Sequence, residues 1–499
     1  MRKRIICFCV ILSVILTSLT GRIAYITFSN NYAVSKGYNS YSLTLETVYP
    51  TVYYSSGDKM TNNKTKYLAI LKPNTKTISD LHNLFSNESV YKITSDLKNG
   101  YPIVKEIDES KAGNVKYIQI YEANDSEYPA KQLISASSSG LLKYLKPCTE
   151  KRIRFNTDAL GRMLQGSEGE IYEEELAANK GLKTTIDAGV QQIAYDSLKN
   201  IGEGCAIIMD VKTSSLLACV TKPDSSYINK PFEQYSVGSV FKTIVALCAL
   251  ENNVDYYYTC YGKTKVGDTV YSCQKNHVHS FQGMEAALAN SCNCYFVNLA
   301  LKLGKDKILN TARKLGFDDE IKLYNNWSFN SSVLPSEAEL GSMGELALFG
   351  FGQGKLTATP AQICYALCTI GNGGKKNQFR FALSEETKEG TFRNFEYKKE
   401  QEVFKKKNCD RLIEFLRYVV SNGTGKNAND KNNKSAGKTA TAQTGQYINN
   451  YELLNTWFAG VYPYDNPEYA IVVMCENGKS GSEDCAPAFR YIVEKLSDL

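Results

Sequence analysis

The chain has 499 residues, of which 43% are hydrophobic and 22% are charged. This is a globular composition at a length that exceeds one ordinary hydrophobic core, so we expect at least two domains and exclude a disordered chain. The net charge of +6 comes from 58 basic and 52 acidic residues spread along the sequence. Because no basic run is interleaved with aromatic residues, a nucleic-acid-binding track is excluded and no nucleic-acid partner is expected.

The N-terminus predicts a membrane anchor. "MRKR" precedes the apolar run "IICFCVILSVILTSLT", and a second apolar piece, "IAYITF", follows Arg22. Basic residues before an apolar run indicate a cytoplasmic N-terminus and an exported remainder. The run is shorter than the roughly 20 residues of a full span, but a snorkelling Arg22 lets residues 23–28 complete it. Since no small-x-small cleavage site follows Thr20, we predict a single uncleaved anchor over residues 1–28.

Residues 29–181 predict a mainly polar, non-catalytic domain. They include strand-like pieces such as "YSLTLETVY" and "VKYIQIYEA" and a helix-like piece around "TISDLHNLF". The segment offers no group of residues that would activate a nucleophile. We therefore expect a positioning or packing module.

Residues 182–499 predict an α+β domain. Asp187 precedes a helical pattern of apolar residues, and "APAFRYIVEKL" predicts a closing helix. "CAIIMDVKTSSLLACV" predicts two strands around a polar turn, and "TWFAGVY" and "YAIVVMC" flank "PYDNPE" in the same way. Strands at both ends of a segment with helices between them indicate an antiparallel sheet flanked by helices.

The number and spacing of the cysteines predict no clear disulfide framework. Thirteen of the 15 lie beyond the predicted anchor, an odd number that cannot pair completely. There is no paired CxxC and there are only three histidines, so we expect no zinc cluster, no other metal site and no cofactor. Most cysteines are expected to be small buried hydrophobic residues. Cys260 and Cys273 bracket "YGKTKVGDTVYS" and are candidates for one disulfide, which the spacing alone leaves open.

The stretch "YSVGSVFKTIVALCAL" carries the first candidate site. Ser239 and Lys242 are three residues apart at the start of a run that is apolar on nearly every side, which predicts a buried helix. At a helix N-terminus, backbone N–H groups and the dipole favour a developing negative charge on Ser239. Lys242 lies on the same helix face, within reach of the Ser239 hydroxyl group, and burial lowers its pKa toward that of a general base. The alternative is a capping serine beside a lysine that snorkels to solvent.

Two further motifs follow in chain order. In "ANSCNCYFVNLA", Ser291 and Asn293 precede another apolar helix, where a hydroxyl can relay a proton and an amide can hold a substrate amide. In "SAGKTATAQTG", Lys438 and neighbouring hydroxyls on a strand can bind a carboxylate, and the backbone can present N–H groups to an oxyanion. Each motif is weak alone, because the same spacings recur elsewhere in the chain. The ordered set is specific.

The ordered set resembles that of class B penicillin-binding proteins. Further blocks also resemble that family in order: "TTIDAGVQQIA", "AIIMDVKTSSLLACVTKPD", "GFGQGKLTATPAQICYA" and "TWFAGVYPYDNPEYAIVVM". The resemblance covers residues 182–499. It implies a penicillin-binding/β-lactamase-like domain on an N-terminal pedestal- or dimerisation-like domain.

The resemblance also implies a reaction, D,D-transpeptidation, which cross-links the stem peptides of peptidoglycan outside the membrane. Ser239 would attack the carbonyl of a D-alanyl-D-alanine end while Lys242 takes its proton, and the acyl group would then pass to an amine of a neighbouring strand. Ser291 would help to protonate the leaving group, and Asn293 would bind the substrate amide. β-Lactams would be trapped on Ser239.

Three residues of the last motif complete the implied site. Lys438 and Thr439 would hold the substrate carboxylate, and the backbone N–H groups of Ser239 and Thr441 would form the oxyanion hole. Ala440 stands where the family usually has glycine, and we expect its methyl group to narrow substrate choice or lower β-lactam affinity. A membrane glycosyltransferase of the cell-wall machinery is the implied protein partner.

The match to the family is incomplete upstream, and two other functions stay open. "YPTVYYSSGDKMTNN" stands where the family has a segment rich in Arg, Asp and Gly, and the absence of a glycosyltransferase motif argues against a bifunctional class A enzyme. One alternative is a β-lactamase or β-lactam sensor on the same fold, although no Glu-x-x-Leu-Asn motif for deacylation is present. The other is a catalytically silent scaffold of a cell-wall complex. Roles in elongation, division and sporulation are not distinguished.

Overall fold

The computed structural model describes residues 2–28, 39–135, 140–176, 181–387 and 389–499. The chain forms two compact units, and it passes between them several times. Unit 1 contains Met1–Thr47, Lys64–Asp125 and Thr149–Glu175, and unit 2 contains Val48–Asn63, Ser126–Cys148 and Leu176–Leu499. The last crossing is close to the domain boundary predicted after residue 181. The predicted start of the N-terminal domain, residue 29, lies outside the described residues.

The α-helices follow one another along the whole chain. They are α1 (Arg2–Phe28), α2 (Thr75–Leu84), α3 (Asn87–Leu97), α4 (Lys131–Ile134), α5 (Ala188–Ser197), α6 (Lys242–Glu251), α7 (Met284–Ala289), α8 (Asn293–Leu303), α9 (Lys305–Lys314), α10 (Met343–Gly350), α11 (Pro360–Gly371), α12 (Lys406–Asn422) and α13 (Ala486–Leu496).

The strands range from two to 13 residues in length. They are β1 (Ser40–Val48), β2 (Thr51–Tyr53), β3 (Asn62–Leu71), β4 (Ile103–Ile107), β5 (Gln119–Glu127), β6 (Thr149–Asn156), β7 (Glu170–Glu175), β8 (Gly181–Thr184), β9 (Gly204–Asp210), β10 (Leu216–Lys222), β11 (Tyr258–Cys260), β12 (Lys263–Val266), β13 (Thr269–Ser272), β14 (Ser280–Gln282), β15 (Glu320–Tyr324), β16 (Trp327–Asn330), β17 (Ser332–Val333), β18 (Thr357–Ala358), β19 (Lys375–Lys376), β20 (Ala382–Glu386), β21 (Phe392–Asn394), β22 (Gln401–Glu402), β23 (Ala436–Ile448), β24 (Tyr451–Tyr462) and β25 (Tyr469–Cys475).

The N-terminal segment is one continuous helix, α1, that includes Arg22 and both apolar pieces of the sequence. Within the described part of the chain, no helix has both the length and the apolar character that a membrane crossing requires.

Unit 1 contains two three-stranded sheets, in the orders β1-β6-β7 and β4-β3-β5. Helices α2 and α3 supply apolar residues to a small core that they share with β3 and β4, including Leu81, Ile93 and Leu71. The predicted strand and helix pieces "YSLTLETVY" and "TISDLHNLF" correspond to β1 and α2. The strand predicted in "VKYIQIYEA" begins later than expected, at Gln119.

Unit 2 is built on a five-stranded sheet in the order β10-β9-β25-β24-β23. Every neighbouring pair in it is antiparallel, so the predicted antiparallel sheet is confirmed. The first two strands and the last three are separated by more than 200 residues of sequence. The sheet therefore joins distant pieces of the chain, as the α+β prediction required.

The central sheet is covered by helices on both faces. On one face, α5 and α13 pack in a cluster with Phe458, Val473 and Ile208. On the other face, Trp457, Val472 and Ile207 belong to the main core, which also contains residues of α6, α8 and α11. Side chains at neighbouring positions such as Trp457 and Phe458 enter different cores because they alternate across a strand.

Local sequence signals explain several helix boundaries. Asp187 caps α5 by accepting a hydrogen bond from the Val190 N–H, as the helix prediction at this position implies. Thr359 caps α11 in the same way, and Pro360 occupies the first turn. All residues of α11 are buried, so its stability depends on packing rather than on an amphipathic surface.

The described cysteines are free thiols, and most of them are buried. The candidate disulfide between Cys260 and Cys273 is therefore wrong for this structure. Their sulfur atoms are 3.7 Å apart, well beyond the roughly 2.05 Å of an S–S bond.

Candidate active site

The candidate nucleophile does not stand on the α-helix itself. Ser239 lies in a 3₁₀ turn, Gly238–Phe241, and α6 begins only at Lys242. The Ser239 side chain is partly exposed, and within the described residues its hydroxyl group makes no hydrogen bond. The predicted contact between this hydroxyl group and the Lys242 amine is therefore not a hydrogen bond here. The hydroxyl group is left available to an incoming molecule.

The segment before Ser239 is fixed to the central sheet. The indole N–H of Trp457 donates to the Ser236 carbonyl at 3.1 Å, and the Tyr235 hydroxyl donates to Glu476 at 2.9 Å. Tyr235 also exchanges two backbone hydrogen bonds with Ala358. These bonds hold Tyr235 and Ser236, directly before the turn, so tertiary contacts set where the turn begins.

Two glycines allow the turn to approach its neighbours closely. Gly238 has a positive φ of 53°, and a Cβ atom there would lie 3.0 Å from the Cβ of Ala442 on β23. Gly352 also has a positive φ, and a Cβ atom there would lie only 1.9 Å from the Gly238 carbonyl oxygen. A side chain at position 352 would thus displace the residue directly before Ser239.

Lys242 is fully buried, and its amine lies against the second motif. Its Nζ donates to the Ser291 carbonyl at 2.8 Å, to the Ser291 hydroxyl at 3.2 Å and to the Asn293 Oδ1 at 2.7 Å. Burial lowers the pKa of Lys242 to about 8, because loss of solvent disfavours the charged amine. The alternative of a lysine that snorkels to solvent is therefore wrong.

The loop between α7 and α8 presents the second motif in an uncommon backbone conformation. Ser291 has a positive φ of 52°, which few non-glycine residues adopt. Its N–H donates to the Leu288 carbonyl, closing α7, and Cys292 caps α8 by accepting from the Tyr295 N–H. Asn293 is held further by a hydrogen bond from its Nδ2 to the Ser272 carbonyl at 2.9 Å. Both predicted residues are thus brought to Lys242.

Lys438 and Thr439 lie on β23, at the edge of the central sheet. Lys438 is 1% exposed, and its Nζ donates to the Thr439 carbonyl at 2.8 Å. Burial, followed by the positive charge of Lys242, holds the pKa of Lys438 well below its usual range. The first and third motifs are therefore close enough for their two amines to interact electrostatically.

The two residues after Thr439 differ in exposure. Ala440 is 3% exposed, and its methyl group packs in the main core with Trp457. Its effect on ligand choice stays a prediction. Thr441 is partly exposed, and its Oγ1 accepts a hydrogen bond from the Gly481 N–H at 3.4 Å.

Thr424 lies beside the candidate site residue Thr439, and the sequence motifs did not single it out. Its hydroxyl shares a 2.7 Å hydrogen bond with the Thr439 hydroxyl, and its N–H donates to the Ala289 carbonyl at 3.0 Å. Thr424 therefore links β23 to the end of α7, two residues before Ser291. The sequence signal at this position is the small-residue loop "NGTG". That pattern does not show which residues Thr424 contacts.

A comparison of the chain with protein-family models identifies its family. Residues 204–494, more than half of the chain, match the model of the penicillin binding protein transpeptidase domain. The chain is a member of the class B penicillin-binding protein family. The three motifs of this class B protein all lie inside the matched region, so the resemblance inferred from the sequence is confirmed.

Curated relatives extend the similarity beyond that domain. Stage V sporulation protein D of Bacillus subtilis is 26% identical over 96% of this chain and 82% of its own length. A peptidoglycan D,D-transpeptidase FtsI homolog of Mesostigma viride is 25% identical over 96% of this chain and 92% of its own length.

A solved structure shares the fold at lower identity. The crystal structure of a peptidoglycan synthetase from Bifidobacterium adolescentis superposes with a TM-score of 0.63 at 17% identity. The match covers 92% of this chain and 96% of that one. The arrangement of helices and sheets is therefore that of the penicillin-binding transpeptidases.

The close approach at Gly352 generates a matched test. We expect Gly352→Ala to lower the free energy of unfolding by roughly 3 kcal/mol, from left-handed backbone strain plus the clash with Gly238. Gly354→Ala is the control, because Gly354 has the same φ of 83° but no neighbour within 3.5 Å of the added Cβ. It should cost about 1 kcal/mol. Urea unfolding measures both, and equal losses would contradict the steric explanation.

Proposed function

We propose that this protein is a peptidoglycan D,D-transpeptidase that forms an acyl-enzyme on Ser239. The observation that carries the proposal is the buried amine of Lys242. It lies three residues from Ser239 and is hydrogen-bonded to both polar residues of the second motif. A buried amine with a lowered pKa is suited to accept a proton from a nucleophilic hydroxyl group.

The hydrogen bonds of Lys242 suggest how it exchanges a proton. A charged amine can donate all three bonds, whereas a neutral amine donates two and has one lone pair. Of its three partners, only the Ser291 hydroxyl can also donate. The neutral amine can therefore keep its bonds to the Ser291 carbonyl and Asn293, while its lone pair accepts a proton from a hydroxyl group.

Acylation would proceed in two steps. The Ser239 oxygen attacks the carbonyl of the D-alanyl-D-alanine bond as its proton moves to Lys242, and the backbone N–H groups of Ser239 and Thr441 stabilise the oxyanion. The C–N bond then breaks, and D-alanine leaves with a proton delivered through Ser291. The amine of a neighbouring stem peptide attacks the acyl-enzyme, which forms the cross-link and restores the Ser239 hydroxyl group.

Substrate binding would use the remaining motif residues. Asn293 offers an amide to the substrate backbone. Lys438 and Thr439 would bind the terminal carboxylate, and the anion would favour the charged form of the Lys438 amine. Thr424 is a positioning residue in this scheme, because it acts through the Thr439 hydroxyl.

A penicillin separates this function from the two alternatives. We expect the purified protein to gain the mass of one penicillin that persists for hours, because a transpeptidase lacks a route for hydrolytic deacylation. Ser239→Ala should gain none, whereas Ser236→Ala, which removes a nearby hydroxyl, should label normally. Intact-mass spectrometry measures all three. A short-lived adduct would indicate a β-lactamase, and an unlabelled parent would indicate a silent scaffold.

The proposed base has its own test. We expect Lys242→Met to slow acylation by at least about 100-fold, the usual contribution of a general base. Methionine fills a similar volume without burying a charge, so the variant should stay folded. Stopped-flow labelling with a fluorescent penicillin gives the rate constant, and circular dichroism checks the fold. Lys302→Met on the exposed side of α8 is the control. Acylation of Lys242→Met at the parent rate would rule out this base.

We also propose that the protein acts on the outer side of a membrane. The basic residues before the apolar start of the chain support an anchor at residues 1–28, with unit 2 outside the cytoplasm. Residues 29–181 would act as a pedestal- or dimerisation-like module. A membrane glycosyltransferase that polymerises the strands is the expected partner, because transpeptidation needs newly made strands.

Cell fractionation tests the anchor. The full chain should sediment with membranes and resist extraction by high salt, because the contact is hydrophobic rather than electrostatic. A chain that lacks residues 2–28 but is exported through a cleavable signal should appear in the soluble extracytoplasmic fraction. Full-length protein in a soluble fraction would contradict the anchor.

A further inference from the structure

Four potential metal ligands converge beside the second motif. Cys260 ends β11, Cys273 follows β13, His279 precedes β14 and Cys292 caps α8. Their ligand atoms, one from each residue, all lie within 4.8 Å of one another. The three cysteines are at most 4% exposed. Two two-stranded sheets, β11-β14 and β12-β13, and the start of α8 thus bring together four groups that are not adjacent in sequence.

Three of the six distances between these atoms are close to those of tetrahedral coordination, and all six are within 4.8 Å. Cys273 Sγ lies 3.7 Å from Cys260 Sγ and 3.7 Å from Cys292 Sγ, and Cys260 Sγ lies 3.5 Å from His279 Nδ1. With Zn–S bonds of about 2.3 Å and Zn–N bonds of about 2.0 Å, tetrahedral geometry requires separations of about 3.8 Å and 3.5 Å.

We propose that Cys260, Cys273, His279 and Cys292 bind one Zn²⁺ ion in a closed structural site. Three Zn–S bonds and one Zn–N bond form, three thiol protons pass to solvent, and no oxidation occurs. His279 coordinates through Nδ1 and keeps its proton on Nε2. The set of three cysteines and one histidine is among the usual ligand sets of structural zinc.

Backbone N–H groups already support two of the sulfur ligands. The Gly262 N–H donates to Cys260 Sγ at 3.3 Å, and the Tyr295 N–H donates to Cys292 Sγ at 3.4 Å. Such bonds orient a thiolate and disperse its charge. Gly262 also has a φ of 83°, and a Cβ atom there would lie 2.4 Å from the Asn276 carbonyl oxygen. This turn therefore requires glycine.

The two short sheets beside the proposed metal site have only a small core, in which Val266 and Tyr271 pack with Val297 and Ala347. The sheet β11-β14 has three residues per strand and β12-β13 has four, and most of their side chains are at least partly exposed. Isolated two-stranded hairpins are at best marginally stable in water. A bound metal ion adds stabilisation to small elements of this kind.

The site is joined directly to the motif that contacts Lys242. Cys292 lies between Ser291 and Asn293. The Asn293 Nδ2 donates to the carbonyl of Ser272, and Ser272 directly precedes Cys273. A metal ion that fixes Cys273 and Cys292 therefore also fixes these two catalytic candidates. This coupling rests on the proposed transpeptidase function, whereas metal binding itself does not.

A fifth sulfur provides an internal control. Cys294 Sγ lies 3.5 Å from Cys273 Sγ, but Cys294 lies outside the group in which all ligand atoms are within 4.8 Å of one another. Cys294→Ser should therefore keep the metal, and Cys292→Ser should lose it. His277, whose ring centroid lies 5.0 Å from that of His279, gives the equivalent pair: His277→Ala should keep the metal and His279→Ala should weaken binding.

The test is the metal content of the purified full chain, measured by inductively coupled plasma mass spectrometry after dialysis without chelator. We expect about one zinc per chain in the parent and in Cys294→Ser and His277→Ala, and at most one tenth of that in Cys260→Ser and Cys292→Ser. In case a variant misfolds, chelator-treated parent protein is refilled with Co²⁺. Tetrahedral thiolate coordination then gives intense visible absorption bands.

The outcomes separate metal binding from its effect on the site. A parent without zinc and without cobalt absorption bands would overturn the proposal, as would zinc that Cys292→Ser retains and Cys294→Ser loses. Chelation should also lower the melting temperature and slow penicillin acylation by roughly tenfold or more. Stoichiometric zinc in a protein that penicillin does not label would sustain the metal site while the transpeptidase function fails. Unchanged acylation after complete zinc removal would overturn the coupling.

Discussion

The burial of one lysine amine is the constraint on which the site depends. Burying an amine away from water costs free energy unless its N–H groups have hydrogen-bond acceptors, and the cost is larger when the amine is charged. Lys242 satisfies them with the Ser291 carbonyl and hydroxyl and with Asn293. The loop between α7 and α8 must therefore lie against the start of α6, and this single contact brings two distant motifs together.

Other parts of the domain fix the two sides of that contact. The turn that bears Ser239 is tied to the central sheet through Trp457 and is approached closely by Gly352. On the other side, Thr424 joins the end of α7 to Thr439 on β23. The result is a rigid setting for groups whose chemistry depends on separations of a few tenths of an ångström.

The cluster of Cys260, Cys273, His279 and Cys292 also depends on buried polar groups, in a region with a small hydrophobic core. The four proposed ligands add to the packing of Val266 and Tyr271 in holding two short two-stranded sheets, and one of the four, Cys292, is the middle residue of the second motif. Stability and chemistry are thereby linked at Cys292. A sulfur at this position serves as an ordinary helix cap when the metal is absent and as a ligand when it is present.

The sequence by itself determined the α+β architecture and the order of the motifs, because strand alternation, helix caps and short-range spacing are local properties. Ser239, Lys242, Ser291, Asn293, Lys438 and Thr439 were all predicted as site residues in this way. Tertiary structure alone decided that Ser239 lies in a 3₁₀ turn, that Thr424 supports Thr439, and that Cys260 and Cys273 are neighbours without a disulfide. The tertiary structure also placed His279 and Cys292 beside Cys260 and Cys273. The sequence patterns had predicted no zinc cluster. The spacing of these four residues resembles no common metal motif, because the pairing of strands in two short sheets, a non-local property, sets which ligands meet.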